Sequence, residues 1–416
     1  MGLTGGGFLA LSVTVAIVVI GLALWALSRI NGRGLRPLLA RLGVLVAAQL
    51  AAILALGVVV NDNFQFYTSM SDLLGTANNQ AAAGDTVVKN VDPQTPVTSG
   101  AGQKGKPYDS VQIRSGILPA ATARDSGEIL DVTVHGARSG LSSQAYVYLP
   151  PSYFSATYAH RRMPGLIVMP GYPSTASNLI MRMAYPWALE SQIKHHHARP
   201  MVLVMTNETV TPPRDTECTD VEHGPKTETF LARDLTDAIS AKFRVARPGA
   251  GWGLMGDSTG GFCAVKMAMN YPHRFTSAVS LSGYYHAIMD FTTGDLFGRN
   301  RNLQHMNDPE WLLGHRPAPP VSVLVTTSRT ESRVLPDTRK FLSMVKPPMR
   351  ASSIILPSGG HNFGAWKGEM PPCLDWLSTH LWTVANAGHP ATSPKRSLVN
   401  PMITRHRAAP HQGSHA

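Results

Sequence analysis

The chain has 416 residues, is 44% hydrophobic and 15% charged, and carries a formal net charge of +11. That length suits one large domain or two ordinary ones, and the composition excludes a disordered polyelectrolyte. The basic residues are scattered and form no helix interleaved with aromatics, so nucleic acid is not expected as a partner.

Two apolar runs come first, Phe8 to Leu27 and Leu42 to Val60, and neither contains a charged residue. Each is long enough to cross a hydrocarbon core of about 30 Å as a helix. Arg29, Arg33, Arg36 and Arg41 lie between them. The positive-inside rule puts that loop in the cytoplasm, leaving everything after Val60 outside. A signal peptide is a poorer reading, because the first run lacks a charged leading region and a second run follows it. Residues 1–60 are therefore expected to form a pair of transmembrane helices. The excess positive charge fits this topology and a tail near anionic envelope polymers.

Residues 61–112 are small and polar and read as an extracytoplasmic linker. Within them the aromatics of "NDNFQFYTSMSDLLG" suit the membrane interface. Residues 113–386 have the pattern of an α/β domain. "GEILDVTVHGA" and "SSQAYVYLPPSY" read as two strands joined by a turn. "MPGLIVMPG" and "PMVLVMTNE" are short, fully apolar runs bounded by Gly and Pro, as strands covered on both faces require, and "GAGWGLMG", "FTSAVSLSG", "VSVLVTTS" and "ASSIILPSGG" also read as strands. Helical spacing appears in "TFLARDLTDAISAKFRV", where Leu231, Leu235, Ile239 and Phe243 share a face. Strands alternating with helices predict a doubly wound, mostly parallel sheet. Residues 387–416, rich in Pro, Ser, His and Arg, are expected to be a disordered basic tail.

The stretch "WGLMGDSTGGFCAVKMAMNYPHRF" holds the chemistry. Gly256-Asp257-Ser258 resembles the serine loop of a trypsin-type protease, but the same residues spell G-x-S-x-G from Gly256 to Gly260. A strand precedes Ser258 and a helix of small residues follows it. That is the context of a nucleophile elbow, not of an all-β barrel. In this fold the acid and then the base follow the serine. His361 in "SGGHNFGAW" comes after the last apolar run and before the last helical segment, where the base belongs. Two residues qualify as the acid, Glu331 in "SRTESR" and Asp337 in "LPDTRKF". Glu331 is favoured because it follows its strand more closely, whereas Asp337 sits where a carboxylate serves a helix N-terminus. The expected oxyanion donors are the main-chain N–H groups of Thr259 and Tyr172, since Pro173 has none.

The other conspicuous residues have plainer readings. His195, His196 and His197 precede a strand and read as a solvated helix end rather than a metal site. The cysteines, Cys218, Cys263 and Cys373, include no C-x-x-C pair and permit at most one intrachain disulfide. Cys263 is expected as a small buried apolar residue, which leaves a bridge between Cys218 and Cys373 as the option if that region is extracytoplasmic. No metal or cofactor is expected. "PPRDTECTDVEHGP", Pro212 to Pro225, reads as a lid or pocket wall.

With those residues in place, the chain from about Gly127 to Trp382 resembles the putative esterase family of α/β-hydrolases. That family includes esterase D, the enterochelin esterases and the mycolyltransferases. The resemblance rests on "VYLPPSY", "GLIVMPGY", "TFLARDL", "GLMGDSTGGFCAVKMAMNYPHRFTSAVSLSG" and "GGHNFGAW". It implies that Ser258, Glu331 and His361 are the nucleophile, acid and base. The chain departs from the family at "MPGYPS", where a His-Gly pair is frequent, and at Asp257-Ser258-Thr259, where Ser-Met-Gly is frequent. The expectation is a membrane-anchored extracytoplasmic serine esterase acting on a small-molecule or lipid ester. A mycolyl-type acyltransferase to a sugar hydroxyl would use the same residues, and a catalytically dead membrane-tethered binding protein is the alternative of another class.

Overall fold

The computed structural model describes residues 3, 6–32, 34–64, 66–74, 111–116, 123–249, 251–381 and 403–406. They divide into two compact units. One comprises Met1–Asn79 with Ser328–Glu331 and Pro357–Ala365, and the other comprises the remainder.

The first unit contains α1 (Gly6–Arg29), α2 (Leu35–Phe64) and the short α3 (Met70–Leu73). Helices α1 and α2 pack against each other. Their outward surface is apolar, with Trp25, Leu24 and Leu54 exposed. Both helices are long and apolar enough to cross a membrane.

The second unit is built on a sheet. Its elements, in chain order, begin with β1 (Val111–Gly116), α4 (Ala123–Ser126), β2 (Glu128–His135), β3 (Ser142–Leu149) and β4 (Gly165–Met169). Then come α5 (Ala176–Met181), α6 (Tyr185–Lys194), β5 (Val202–Thr206) and α7 (Thr227–Thr229). A π-helical segment, Phe230–Leu235, joins α7 to α8 (Thr236–Lys242). Ser258 lies between β6 (Trp252–Asp257) and α9 (Thr259–Asn270), which are followed by β7 (Ser277–Leu281), α10 (Arg301–Met306) and α11 (Pro309–His315). The last elements are β8 (Ser322–Ser328), α12 (Val334–Met344), β9 (Arg350–Leu356), α13 (Phe363–Leu381) and β10 (Ile403–His406).

The strand order is β1-β2-β3-β5-β4-β6-β7-β8-β9-β10. Pairing from β5 through β4, β6 and β7 to β8 is parallel. An antiparallel meander, β1 to β3, flanks β5, and β10 pairs antiparallel with β9. Every residue of β4, β5, β6 and β7 is buried, as expected of strands covered on both faces. This is the doubly wound, mostly parallel sheet that the alternation of strands and helices predicts, in the α/β-hydrolase arrangement that the resemblance implies. The expected linker, 61–112, contains the end of α2, then α3, and meets β1 at Val111, two residues before the expected domain start. Its stretch 75–110 lies outside the described residues. So does most of the expected tail, 387–416, within which Ile403–His406 form a strand.

One expectation is corrected. Cys218 is bonded to Cys263, not to Cys373, which is a free and buried thiol in α13. Cys263 lies on the first turns of α9, on the side that meets the loop after β5, and that loop carries Cys218. Apolar burial and disulfide partnership look alike in sequence, because both place a cysteine inside. The bridge closes a separation of 45 residues, which should be worth about 2–4 kcal/mol. Replacing Cys218 and Cys263 together with alanine should lower stability by about that amount, measured by denaturant unfolding. Peptide mapping of the unreduced chain should join Cys218 to Cys263 and leave only Cys373 alkylated; a Cys218–Cys373 peptide would refute the pairing.

Candidate active site

Ser258 occupies the turn between β6 and α9 with φ of 52° and ψ of −121°. A non-glycine residue pays for that geometry, on the order of 1–3 kcal/mol, and it persists only where neighbours enforce it. The neighbours here are close. A Cβ on Gly260 would sit 2.2 Å from the carbonyl oxygen of Met169 in β4. A Cβ on Gly256 would sit 2.3 Å from the backbone of Gly260. The glycines of the motif thus let α9 press onto β4 and β6, and that approach forces the serine out of the strand. Ser258 N–H donates to the Leu281 carbonyl at 2.9 Å, which fixes the elbow to the end of β7.

The loop after β4 is locked to the same elbow. Gly171 packs so closely that a Cβ there would lie 2.7 Å from Ser258 Cβ. Gly171 N–H donates to the carboxylate Oδ2 of Asp257 at 2.9 Å. Asp257 is fully buried. It holds the loop beside the serine, a role sequence pattern did not assign to it. Gly171 O accepts from Ser174 N–H at 2.8 Å, which places Tyr172 and Pro173 at the tip of a tight turn. Tyr172 OH donates to the Pro213 carbonyl at 2.6 Å. Tyr172 and Thr259, the two expected oxyanion donors, therefore sit on segments that both contact Ser258.

The stretch Pro212 to Pro225, expected as a lid or pocket wall, is pinned to α9. Besides the disulfide, the buried Lys266 of α9 donates to the carbonyls of Glu217 (2.7 Å) and Cys218 (3.1 Å) and to Asn307 Oδ1 (2.6 Å). Glu217 and Cys218 are both left-handed, with φ of 50° and 46°. The wall also places carboxyls inside. Tyr284 OH donates to Glu217 Oε1, and it lies 3.4 Å from Thr259 Oγ1. Burial pushes the Glu217 carboxyl well above the usual range, with Asp215 adding to the shift. Burial likewise raises Asp215 to about 6. Burial lowers the Lys266 ammonium, opposed by Glu228 and Glu217.

His361 and Glu331 meet in the first unit. His361 Nδ1 is 3.1 Å from Glu331 Oε1. Glu331 is almost fully buried, and its Oε2 accepts the Ser328 N–H at 3.0 Å. With the carboxylate as acceptor, Nδ1 carries the proton and Nε2 is left as the basic nitrogen. The two loops are laced together. The Gly359 carbonyl accepts from Ser328 Oγ and Thr330 Oγ1, each at 2.7 Å. Gly359 has φ of 150°, which a side chain would disfavour. Of the two candidate acids, Glu331 is the one bonded to His361; Asp337 lies in the first turn of α12, 3.8 Å from His286. The lacing by Ser328, Thr330 and Gly359 escaped sequence reasoning, although "TSRTES" is dense in hydroxyls.

His195, His196 and His197 are exposed at the end of α6, where His195 Nδ1 bonds the Ser191 carbonyl at 2.8 Å. Among the described residues no group of three or more His, Cys, Asp and Glu side chains is placed to hold a metal.

Comparison with known proteins gives a consistent picture. An uncharacterized protein of Corynebacterium glutamicum is 24% identical over 275 residues, covering 62% of this chain and 64% of that one. The chain thus spans less than two thirds of that curated relative. Among solved structures, an S-formylglutathione hydrolase from Agrobacterium tumefaciens is 17% identical with a TM-score of 0.53, covering 65% of this chain and 99% of that one. A ferulic acid esterase is 17% identical with a TM-score of 0.51, covering 61% and 98%. At that identity both likenesses speak for the fold alone. The family model described as "Putative esterase" matches residues 137–377, more than half of the chain. The chain belongs to that esterase family and has its α/β-hydrolase fold.

Proposed function

We propose that the protein is a membrane-anchored, extracytoplasmic serine esterase. The observation that carries the reading is the strained, left-handed Ser258 at a G-x-S-x-G turn, in a chain where a buried carboxylate already orients a histidine. The elbow follows β6, the acid follows β8 and the base follows β9, the order this fold uses. Ser258 Oγ attacks the ester carbonyl carbon while His361 Nε2 takes its proton. The N–H groups of Tyr172 and Thr259 receive the oxyanion of the tetrahedral intermediate. The alcohol leaves with the proton from His361, and water then cleaves acyl-Ser258 by the reverse assignment. Glu331 keeps the imidazole in its tautomer and stabilises the imidazolium.

The anchoring half of the proposal rests on α1 and α2, on the arginines between their apolar runs, and on the disulfide. Cys218–Cys263 belongs in an oxidising compartment, on the side of the membrane opposite the arginines.

Ser258→Ala should abolish labelling by a fluorophosphonate and lower kcat for nitrophenyl esters by several orders of magnitude, with unfolding unchanged. Labelling that survives in the alanine variant would remove Ser258 from the mechanism. The acid is tested separately. Glu331→Gln should cost up to about 10⁴-fold in kcat, whereas Asp337→Asn should cost at most about 1 kcal/mol of stability and little rate. A dead Asp337→Asn beside an active Glu331→Gln would transfer the role. For the topology, protease added to intact spheroplasts should digest the catalytic domain and spare the loop around Arg33; a protected domain would reverse the orientation.

A further inference from the structure

The outer ends of both apolar helices and the loop carrying His361 form one hydrogen-bonded junction. Asn61, in the last turn of α2, donates from Nδ2 to the carbonyls of Leu3 (3.3 Å) and Tyr67 (2.9 Å), and its Oδ1 accepts the Tyr67 N–H at 2.8 Å. Leu3 N–H donates to the Thr68 carbonyl at 2.9 Å. Thr68, itself buried, approaches the Gly359 carbonyl with its hydroxyl at 3.4 Å. Asn362 Nδ2 donates to the Phe66 carbonyl. Asn362 Oδ1 meanwhile accepts the Ala365 N–H at 3.0 Å, so the side chain that joins Phe66 also caps the first turn of α13.

This arrangement fixes a height. Asn61 directly follows the apolar run that ends at Val60, and its side chain bonds both the N–H and the carbonyl of Tyr67, so Phe66 to Thr68 fold back to the end of that run. Asn362 adjoins His361, with Cα atoms about 3.8 Å apart. The headgroup zone adds roughly 5–7 Å to each side of the hydrocarbon core. If α2 spans the membrane, the base loop therefore lies at headgroup level. The junction is also dressed for an interface, because Phe66, Tyr67, Met70, Leu73 and Leu74 expose apolar surface beside it. A reaction centre at that level meets amphiphiles whose acyl chains stay in the leaflet. An ester in bulk water gains nothing from the arrangement.

Resting on the esterase reading above, we infer that the anchor is part of the site: the junction of Asn61, Phe66–Thr68 and Asn362 holds the catalytic base at the membrane surface, so that the ester taken is that of a membrane-resident amphiphile. The test uses the full chain in phosphatidylethanolamine–phosphatidylglycerol vesicles. Two esters of one fluorogenic phenol are compared, methylumbelliferyl palmitate dissolved in the bilayer and methylumbelliferyl butyrate in solution. An insertion of about eight Gly and Ser residues between Phe64 and Gln65 leaves the contacts of Phe66 and Thr68 with the base loop but lets that loop leave the surface by up to about 25 Å. The insertion should reduce kcat/KM for the palmitate at least about tenfold while the butyrate stays within about twofold. Asn362→Asp keeps the cap on Ala365 N–H but turns an acceptor toward the Phe66 carbonyl, and it should also depress the palmitate rate more than the butyrate rate. An unchanged palmitate rate in the insertion variant would overturn the inference. So would an equal fall for both esters, which would make the junction a support of the fold only. Failure of the esterase reading looks different, because the unaltered chain would then cleave neither ester and take no fluorophosphonate.

Discussion

The close approach of α9 to β4 and β6 is the constraint on which the nucleophile half of the molecule depends. No side chain fits at Gly256 or Gly260, since a Cβ at either would fall well inside backbone contact distance. Once the helix lies that close, the chain between strand and helix has no room to relax, and Ser258 takes up the left-handed turn. The cost of that turn is met by the packing of the surrounding core, where Met169, Leu254, Phe262 and Ala264 are all buried. The same closeness brings Gly171 against Ser258, so the loop after β4 and the serine are placed by one packing event. Asp257 completes it, because its buried carboxylate accepts from the loop it must hold.

A second set of buried polar contacts does comparable work for the wall after β5. An ammonium is costly to bury unless its protons find acceptors. Lys266 finds two carbonyls and an amide oxygen, and Glu228 lies 3.8 Å away. Together with the disulfide this holds two successive left-handed residues, Glu217 and Cys218, against α9. Glu217 in turn reaches Tyr284 beside Thr259. The wall is thereby tied to the first turn of the nucleophile helix, so its geometry and that of the elbow cannot vary independently.

Much of this was legible in the sequence because it rests on periodicity and on glycine. The apolar runs of β4 and β5 announce strands covered on both faces, and Gly256, Gly260 and Gly261 announce a turn under pressure. The order of Ser258, Glu331 and His361 along the chain suggests a triad, and the structure places Glu331 against His361. The illegible parts are contacts between distant side chains. Cys263 reads as a small apolar residue until the loop carrying Cys218 is folded onto α9. Lys266 carries no local mark of burial, yet it is fully buried. Nothing local to Asp257 shows that Gly171 will lie across from it. The strand at Ile403–His406 was missed because its surroundings are rich in residues that disfavour strands.

The base loop illustrates why such contacts leave so faint a trace. At the junction with the anchor, Leu3, Phe66, Tyr67 and Gly359 all contribute main-chain groups, which any residue could supply. Asn61, Thr68 and Asn362 contribute side chains, each an ordinary polar residue. A hydrogen bond to a carbonyl constrains position without constraining the identity of the residue that owns the carbonyl. Sequence pattern therefore presents 61–74 as a spacer after a membrane helix. The fold uses the same segment as a brace that reaches the residue next to His361. If α2 spans a membrane and His361 is the base, a longer spacer would still tether the domain but could no longer set the height of His361 above the bilayer, and that height is what would give a short, bonded connection its consequence for the ester within reach.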